Sequence, residues 1–434
     1  LESPVRNRRH RLIFTGAPER AGMSAADIGG LQSFPAELQE REAWLDPFGW
    51  YAEMRDREPV RYDADRRTWD VFRYDHVKRI LANDDGKFST SPRNAAGFQE
   101  PPADEGFLLD TMLLQDPPRH GELRSAVDDA FEPRAIRKLE PRIRALTNDL
   151  LDEALADADG ELDVVDALTY PLPVVVIAEL LGIPREDRDQ FKHWSETIVR
   201  SADRDTDPAT FLEEQRRAGQ EMAMYFLQQL EDRRDDPRDD LLTTIATAEG
   251  EGGQLSQREA LGMCMLLLIA GNITTTHLLT NAVRCFDAHE TDLFATLAAD
   301  ERGLESAIEE GLRYRAPVQA MTRVPVEDVE VAGQTLSAGD GVVVWLGSAN
   351  RDERQFPDAD TFVPDRSPNQ HYGFGHGRHY CLGAPLARLE AKVALEELTD
   401  RLAGIEVADA DLTPVRSSFI YGVESLPIRF ETRG

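Results

Sequence analysis

The chain has 434 residues, enough to bury a substantial core, and carries a formal net charge of −31 at pH 7. No basic patch is present to release phosphate counterions, which argues against a nucleic-acid partner. The longest uncharged apolar run, residues 260–271, is shorter than the roughly 18 to 20 residues that cross a bilayer, so no membrane span is expected.

Three cysteines, Cys264, Cys285 and Cys381, are too few for a disulfide framework and fit a reducing, cytoplasmic compartment. Of 49 basic residues only five are lysine and 44 are arginine. Such an acidic surface repels itself at low salt, a cost that a Debye length of about 3 Å at about 1 M salt largely removes. The bias therefore reads as adaptation to a salt-rich cytoplasm, as in halophilic archaea; an acidic mesophilic protein from a high-GC genome is the alternative.

Residues 1–22 hold five arginines against two glutamates, opposite in sign to the rest, and Met23-Ser-Ala-Ala-Asp reads as a natural start. Residues 1–22 are therefore expected to be an upstream or non-native extension, with a basic arm as the alternative, and 23–434 the folded domain. Asp46-Pro47 predicts a helix start with an N-cap acid and proline in the first turn. Short strands are expected around Val60-Arg-Tyr and Trp69-Asp-Val-Phe. Residues 91–106 form a Pro/Gly/Asn-rich loop of a length usually reserved for binding. Tyr170-Pro-Leu-Pro-Val-Val-Val-Ile-Ala-Glu-Leu-Leu-Gly-Ile-Pro184 predicts a buried helix between prolines, and charged loops are expected near 201–208 and 231–240. None of these breaks resembles a linker between independent domains.

Ser256-Gln-Arg-Glu259 is a capping box that opens a helix expected from about Ser256 to about His289. Its middle, Ala270-Gly271-Asn-Ile-Thr274-Thr-Thr276, places glycine in a helix interior at a cost of about 1 kcal/mol. Three threonines follow, whose hydroxyls can compete for the backbone carbonyl four residues back. Glu310-Gly-Leu-Arg313 sets a carboxylate and a guanidinium on one helix face. The run His371-Tyr-Gly-Phe374-Gly375-His-Gly377-Arg-His379-Tyr-Cys381-Leu-Gly383 then delivers one thiol to the start of an amphipathic helix, where first-turn N–H groups and the helix dipole favour an anionic sulfur.

That run resembles the haem-binding loop of the cytochrome P450 superfamily, Phe-Gly-x-Gly-x-His-x-Cys-x-Gly, at every fixed position. The resemblance extends over nearly all of residues 40–430, including Asp116-Pro-Pro-Arg-His120-Gly-Glu-Leu-Arg124. It implies the mostly α, single-domain haem-thiolate fold with a small β region (α+β), haem b as cofactor, and Cys381 as the iron ligand. It also implies a local widening of the central helix that makes room for dioxygen, with Thr274 as the oxygen-side threonine beside Ala270 and Gly271. His120, Arg124, Arg323 and His371 are nominated for the haem propionates, Phe374 and Gly375 for the thiolate side, and Glu310, Arg313 and Arg366 as a structural network. One departure stands out: Ile273 occupies the position where the family normally has an acid, and it cannot relay a proton.

The implied activity is a monooxygenase inserting one atom of O2 into an apolar small molecule, with electrons from a ferredoxin and an NAD(P)H-dependent ferredoxin reductase. The ferredoxin would dock on the thiolate side near Arg119, Arg124, Arg134 and Arg378. Ile273 motivates a second reading, a peroxygenase driven by hydrogen peroxide, and a non-catalytic haem-based sensor is the third. The expected pocket segments are residues 91–114, those flanking 201–208, 317–321 and 418–422, with Phe107, Leu108, Met112, Met321, Phe419 and Ile420 as apolar walls. Cys264 and Cys285 are expected to be small core residues.

Overall fold

The computed structural model describes residues 34–433 apart from 102–105, 188–189, 192, 195–196, 198–207, 249–254, 298–299 and 409–410. The expected extension at 1–22 and nearly all of the loop at 201–208 lie outside the described residues. The fold is mostly helical with a small β region, as the sequence implies.

Helix α1 (Arg41–Leu45) ends at Asp46, and α2 (Phe48–Arg57) begins one residue beyond the expected start, with Pro47 rather than Asp46 as its N-cap. The physical cause is the proline ring, which disfavours the helical region for the residue before it; Asp46 sits at φ −141°, ψ 74°. Strands β1 (Val60–Asp63) and β2 (Thr68–Val71) form the expected antiparallel pair. With β3 (Phe88–Ser89), β5 (Ala320–Pro325) and β8 (Gly341–Trp345) they build a five-stranded sheet ordered β1-β2-β8-β5-β3, in which β2 and β8 run parallel. Every residue of β8, Gly-Val-Val-Val-Trp, is buried, as a strand covered on both faces requires. A second sheet is ordered β4 (Glu161–Asp163), β10 (Pro427–Thr432), β9 (Leu402–Val407), and β6 (Val329–Val331) pairs with β7 (Gln334–Leu336) as a hairpin. Between β2 and β3 runs α3 (Tyr74–Ala82).

Helix α4 (Arg119–Ser125) precedes α5 (Glu140–Ala156), and the apolar segment between prolines forms α6 (Pro171–Leu181), stopped by Gly182 in the left-handed region at φ 86°. The charged stretch expected as a loop at 231–240 is helical as far as Asp235, the end of α7 (Pro208–Asp235). Arg233 explains the difference. Its fully buried guanidinium donates to Asp240 Oδ2 at 2.8 Å and to the Gly182 carbonyl at 2.7 Å, so local charge density conceals an internal tie. Helix α8 (Leu241–Ala248) follows.

The central helix α9 (Gln257–Asp287) opens on the predicted capping box, with the Ser256 and Glu259 side chains each meeting the other's backbone N–H. Taken whole, α9 is long and apolar enough to cross a membrane, which its uncharged run alone did not suggest. However, 67% of its most apolar window is buried within the fold, against α6, α10 (Glu301–Tyr314) and α11 (Ala384–Arg401). Cys264 and Cys285 are buried on α9, as expected.

One core residue is out of keeping. Glu390 on α11 is 1% exposed, its Oε2 has no hydrogen-bond partner, and burial pushes its carboxyl up to about 8. A carboxyl raised on folding contributes fully while protonated, below its unfolded value near 4.5, and becomes a growing cost as pH rises toward 8. Replacement by neutral glutamine should therefore raise stability at pH 8 by about 1 to 2 kcal/mol, well under the roughly 5 kcal/mol ceiling of the full shift, and should leave it nearly unchanged at pH 4.5. Urea unfolding of Glu390→Gln at the two pH values checks this.

Candidate active site

The ground of the site is a buried ion network. Glu310 and Arg313 on α10 are 0% and 1% exposed and pair through two bonds, Nε to Oε2 at 2.8 Å and Nη2 to Oε1 at 2.7 Å. Arg366 closes on both oxygens of the same carboxylate at 3.0 and 3.1 Å. Arg313 also donates to the carbonyls of Asn350, Ala359 and Thr361, and Asn369 and the Val363 N–H bond Glu310. These bonds fix the segment leading into the cysteine loop, because a buried carboxylate accepts only donors that complete its lone pairs.

The loop then folds on itself. Cys381 N–H donates to the Phe374 carbonyl at 3.0 Å and Gly375 N–H to that of Tyr372 at 2.9 Å. Gly375 and Gly377 both take φ 73°, and a Cβ on Gly377 would lie 2.6 Å from the Leu81 carbonyl of α3, so this turn admits only glycine. Cys381 keeps an exposed surface although protein surrounds it. Burial pushes its thiol up, while the N–H groups of Gly383 and Ala384 and the charges of Arg124 and Arg388 act in the opposite direction. A coordinating metal deprotonates such a thiol outright.

Beside the loop lies a cationic cluster. The rings of His120 and His379 are 4.1 Å apart. Burial, reinforced by Arg323, His120 and Arg124, brings His379 down to about 3, and burial with Arg124 also lowers His120. Both imidazoles are therefore neutral at neutral pH and able to donate one N–H. Arg323 is 5% exposed, and its one side-chain bond among the described residues goes to the Thr322 carbonyl at 2.7 Å; burial lowers it to about 10. Arg124 donates to the Tyr380 carbonyl at 2.8 Å and to Asp128 at 3.0 Å. A buried guanidinium without a carboxylate, next to two imidazoles, calls for an anionic partner. That is the fit expected for the acidic arms of haem.

His371 is placed elsewhere. Its Nε2 lies 3.1 Å from Glu309 and its Nδ1 accepts the Gly373 N–H at 3.0 Å. Arg388 grips the same Glu309 at 2.6 and 2.9 Å and lies 4.5 Å from the Phe374 ring centroid. Burial opposes ionisation of Glu309, but Arg388 and His371 overcome it and hold the carboxyl at about 2. His371 thus supports the loop from below, whereas His379, given no role from sequence, stands in the cation cluster. Its fixed place two residues before Cys381 was the available signal.

Across the site, α9 continues as an unbroken α-helix through Ala270–Thr276, without the expected widening. The threonines act instead through their hydroxyls: Thr274 Oγ1 donates to the Ala270 carbonyl at 2.8 Å and Thr276 Oγ1 to that of Asn272 at 3.1 Å. Ala270 is exposed and Thr274 and Gly271 are half-buried, whereas the neighbouring helix is largely buried. A Cβ on Gly271 would make ordinary contact with Ile177 at 3.5 Å, so close packing is not what selects glycine there.

Two of the expected pocket segments are bonded to each other. Residues 317–321 bond the C-terminal turn, Gln319 N–H to the Phe419 carbonyl at 2.7 Å and Tyr421 N–H to that of Pro317 at 2.8 Å, and Asn281 of α9 donates to the Tyr421 carbonyl at 3.1 Å. Met321 reaches the loop, its Cε 3.6 Å from where a Cβ on Gly375 would stand. Phe107, Leu108 and Met112 pack partly buried against the main core.

A single thiol at a glycine turn, an anion-seeking cluster and a threonine-bearing helix define a haem-thiolate protein, and comparison with known sequences gives the family. The chain belongs to the cytochrome P450 family, whose model matches residues 62–285 and 303–402. It is 41% identical over 397 residues to cytochrome P450 109 of Bacillus spizizenii, covering 91% of this chain and 94% of that one. It is 40% identical over 396 residues to the erythromycin C-12 hydroxylase of Saccharopolyspora erythraea, covering 90% and 95%. The crystal structure of CYP109E1 from Bacillus megaterium in complex with testosterone superposes with a TM-score of 0.81 at 42% identity, covering 90% of this chain and 99% of that one. The protein is thus an oxygen-incorporating oxidoreductase with haem b as its cofactor.

If Arg323 and His379 hold the acidic arms of haem, Arg323→Gln should speed haem loss to a competing haem-binding protein about tenfold, on the scale of one lost charge-assisted bond. His371→Gln, removed from that cluster, should instead lower thermal stability with a smaller effect on haem loss.

Proposed function

We propose that this P450 inserts one atom of O2 into a C–H or C=C bond of an apolar, lipid-, terpenoid- or steroid-like molecule in the cytoplasm. A ferredoxin, reduced by an NAD(P)H-dependent reductase, supplies electrons singly. The observation that carries the substrate class is apolar Met321 against the cysteine loop, on a segment whose backbone is bonded to the turn bearing Phe419 and Ile420. The testosterone complex of a relative of similar length supports the same class.

Haem bound through Cys381 supplies the oxygen-activating chemistry, since a thiolate ligand favours O–O cleavage. The chain's own groups surround that chemistry. The Thr274 hydroxyl donates its hydrogen bond to the Ala270 carbonyl, which leaves the oxygen's lone pairs free to accept a hydrogen bond from a water held there. Asn272 offers a second donor in the same turn, because its Nδ2 is buried without a partner. Phe374, with Arg388 over its ring, shields the sulfur side. For ferredoxin docking, Arg119 is engaged with Glu122 and Glu259 and Arg124 with Asp128, so exposed Arg134 and Arg378 remain the charges available to a partner.

Ile273 favours one further reading, a peroxygenase, because no acid stands at that turn to relay protons. Turnover of a steroid panel with ferredoxin, reductase and NAD(P)H, against hydrogen peroxide alone, separates the two. Product only with the redox chain supports the monooxygenase, and equal product with peroxide alone would replace it. In the productive system Thr274→Ala should raise hydrogen peroxide release several-fold without loss of haem.

The acidic, lysine-poor composition supports an origin in a salt-rich cytoplasm, such as that of a halophilic archaeon. The midpoint of thermal unfolding should then climb continuously from about 0.1 M to about 1 M KCl, as the Debye length contracts from about 10 to about 3 Å. A midpoint independent of salt would favour a mesophilic origin.

A further inference from the structure

A cavity of about 360 Å³ opens between the start of α2, the end of α10 and the segment bearing Arg351, and none of its lining residues belongs to the cysteine loop or the cation cluster. Two guanidinium groups line it. Arg315 makes no side-chain hydrogen bond or ion pair among the described residues, and its Nε is fully buried. Arg351, 4% exposed, is clamped between the rings of Phe48 and Tyr314, 3.6 Å from each centroid. It spends Nε and Nη2 on the Tyr314 carbonyl at 3.0 and 2.8 Å. Among the described residues its Nη1 has only the Asp360 carboxylate at 3.3 Å, a side chain 69% exposed to solvent.

Arg315 is half-buried and feels Asp46 only from beyond ion-pair distance, although a chain of net charge −31 has no shortage of carboxylates with which to pair a guanidinium withdrawn from water. Asp46 and Asp360 both line the cavity, yet neither comes within ion-pair distance of Arg315. The buried Cys285 thiol feels Arg315, Arg284 and Arg351 together, which favour its ionised form, while burial and Glu310 oppose them. Phe48 and Gly49, in the first turn of α2, also line the cavity, and no side chain caps that helix start. Free N–H groups and the positive end of the dipole there add to the two guanidinium groups.

We propose that this cavity binds a small oxyanion, a carboxylate or a phosphate, between Arg315 and Arg351, with the α2 start completing its coordination. The clamped, planar Arg351 supplies a fixed donor and Arg315 the unspent charge. The site is independent of the substrate reading above.

The test uses the full haem-loaded chain at constant ionic strength set with chloride. Inorganic phosphate and acetate are titrated separately by calorimetry and by thermal unfolding, with the Soret band followed alongside. Saturable binding that stabilises the fold and leaves the Soret band unmoved is expected. Saturation by phosphate alone would assign a tetrahedral anion, and saturation by acetate alone a carboxylate. Arg315→Gln should weaken binding about tenfold, the scale of one charge-assisted bond, while leaving stability in chloride unchanged. Asp46→Asn, which removes a rim charge without touching the donors, should tighten it several-fold. Absence of saturable binding by either anion, binding unaltered in both variants, or equal destabilisation by Arg315→Gln with and without the anion would overturn the proposal.

Discussion

The Glu310 carboxylate is the point on which the architecture turns. It is wholly buried, and its cost out of water is met by Arg313, Arg366, Asn369 and the Val363 N–H together. Removing one partner from such a network typically costs about 3 to 5 kcal/mol, because it strands the remaining charge. Its consequence is positional. Arg313 reaches the carbonyls of Asn350, Ala359 and Thr361, and Asn350 Oδ1 in turn accepts the Tyr372 N–H at 2.6 Å. The chain entering the cysteine loop is thus nailed to α10 before the loop begins, and the sulfur inherits that rigidity.

Against this frame the electrostatics reverse locally. The protein is strongly acidic overall, yet the side of the cysteine loop gathers Arg124 and Arg323 with two imidazoles that burial keeps neutral. Neutral imidazoles limit the repulsion that four full charges would create, while still offering N–H donors to an anion. Arg388 and Glu309 balance each other beneath Phe374, so the two sides of the loop are handled by different means: an anion-seeking cluster on one, a closed ion pair on the other.

Local signals carried the sequence reading far. The capping box set the start of α9, short runs of β-branched and aromatic residues located β1 and β2, and the glycine spacing around Cys381 identified the loop. Signals that depend on tertiary placement did not survive in the sequence. His371 and His379 are eight positions apart in one loop, and the left-handed turns at Gly375 and Gly377 decide which of them meets His120. The helical end of α7 was concealed because Arg233 is satisfied by Gly182 and Asp240, partners whose approach no local pattern announces. The threonine run bonds hydroxyl to carbonyl as its composition predicts, but the helix absorbs those bonds without the widening that the family resemblance implies.

The central claim is that Cys381 is the iron ligand, and the absorption spectrum of the reduced carbon monoxide complex tests it most directly. The haem-loaded protein should show the long-wavelength Soret band characteristic of thiolate ligation, and Cys381→His should convert it to the shorter-wavelength band of imidazole ligation while haem is retained. An imidazole-type band in the unsubstituted protein, or a thiolate-type band that persists in Cys381→His, would contradict the assignment.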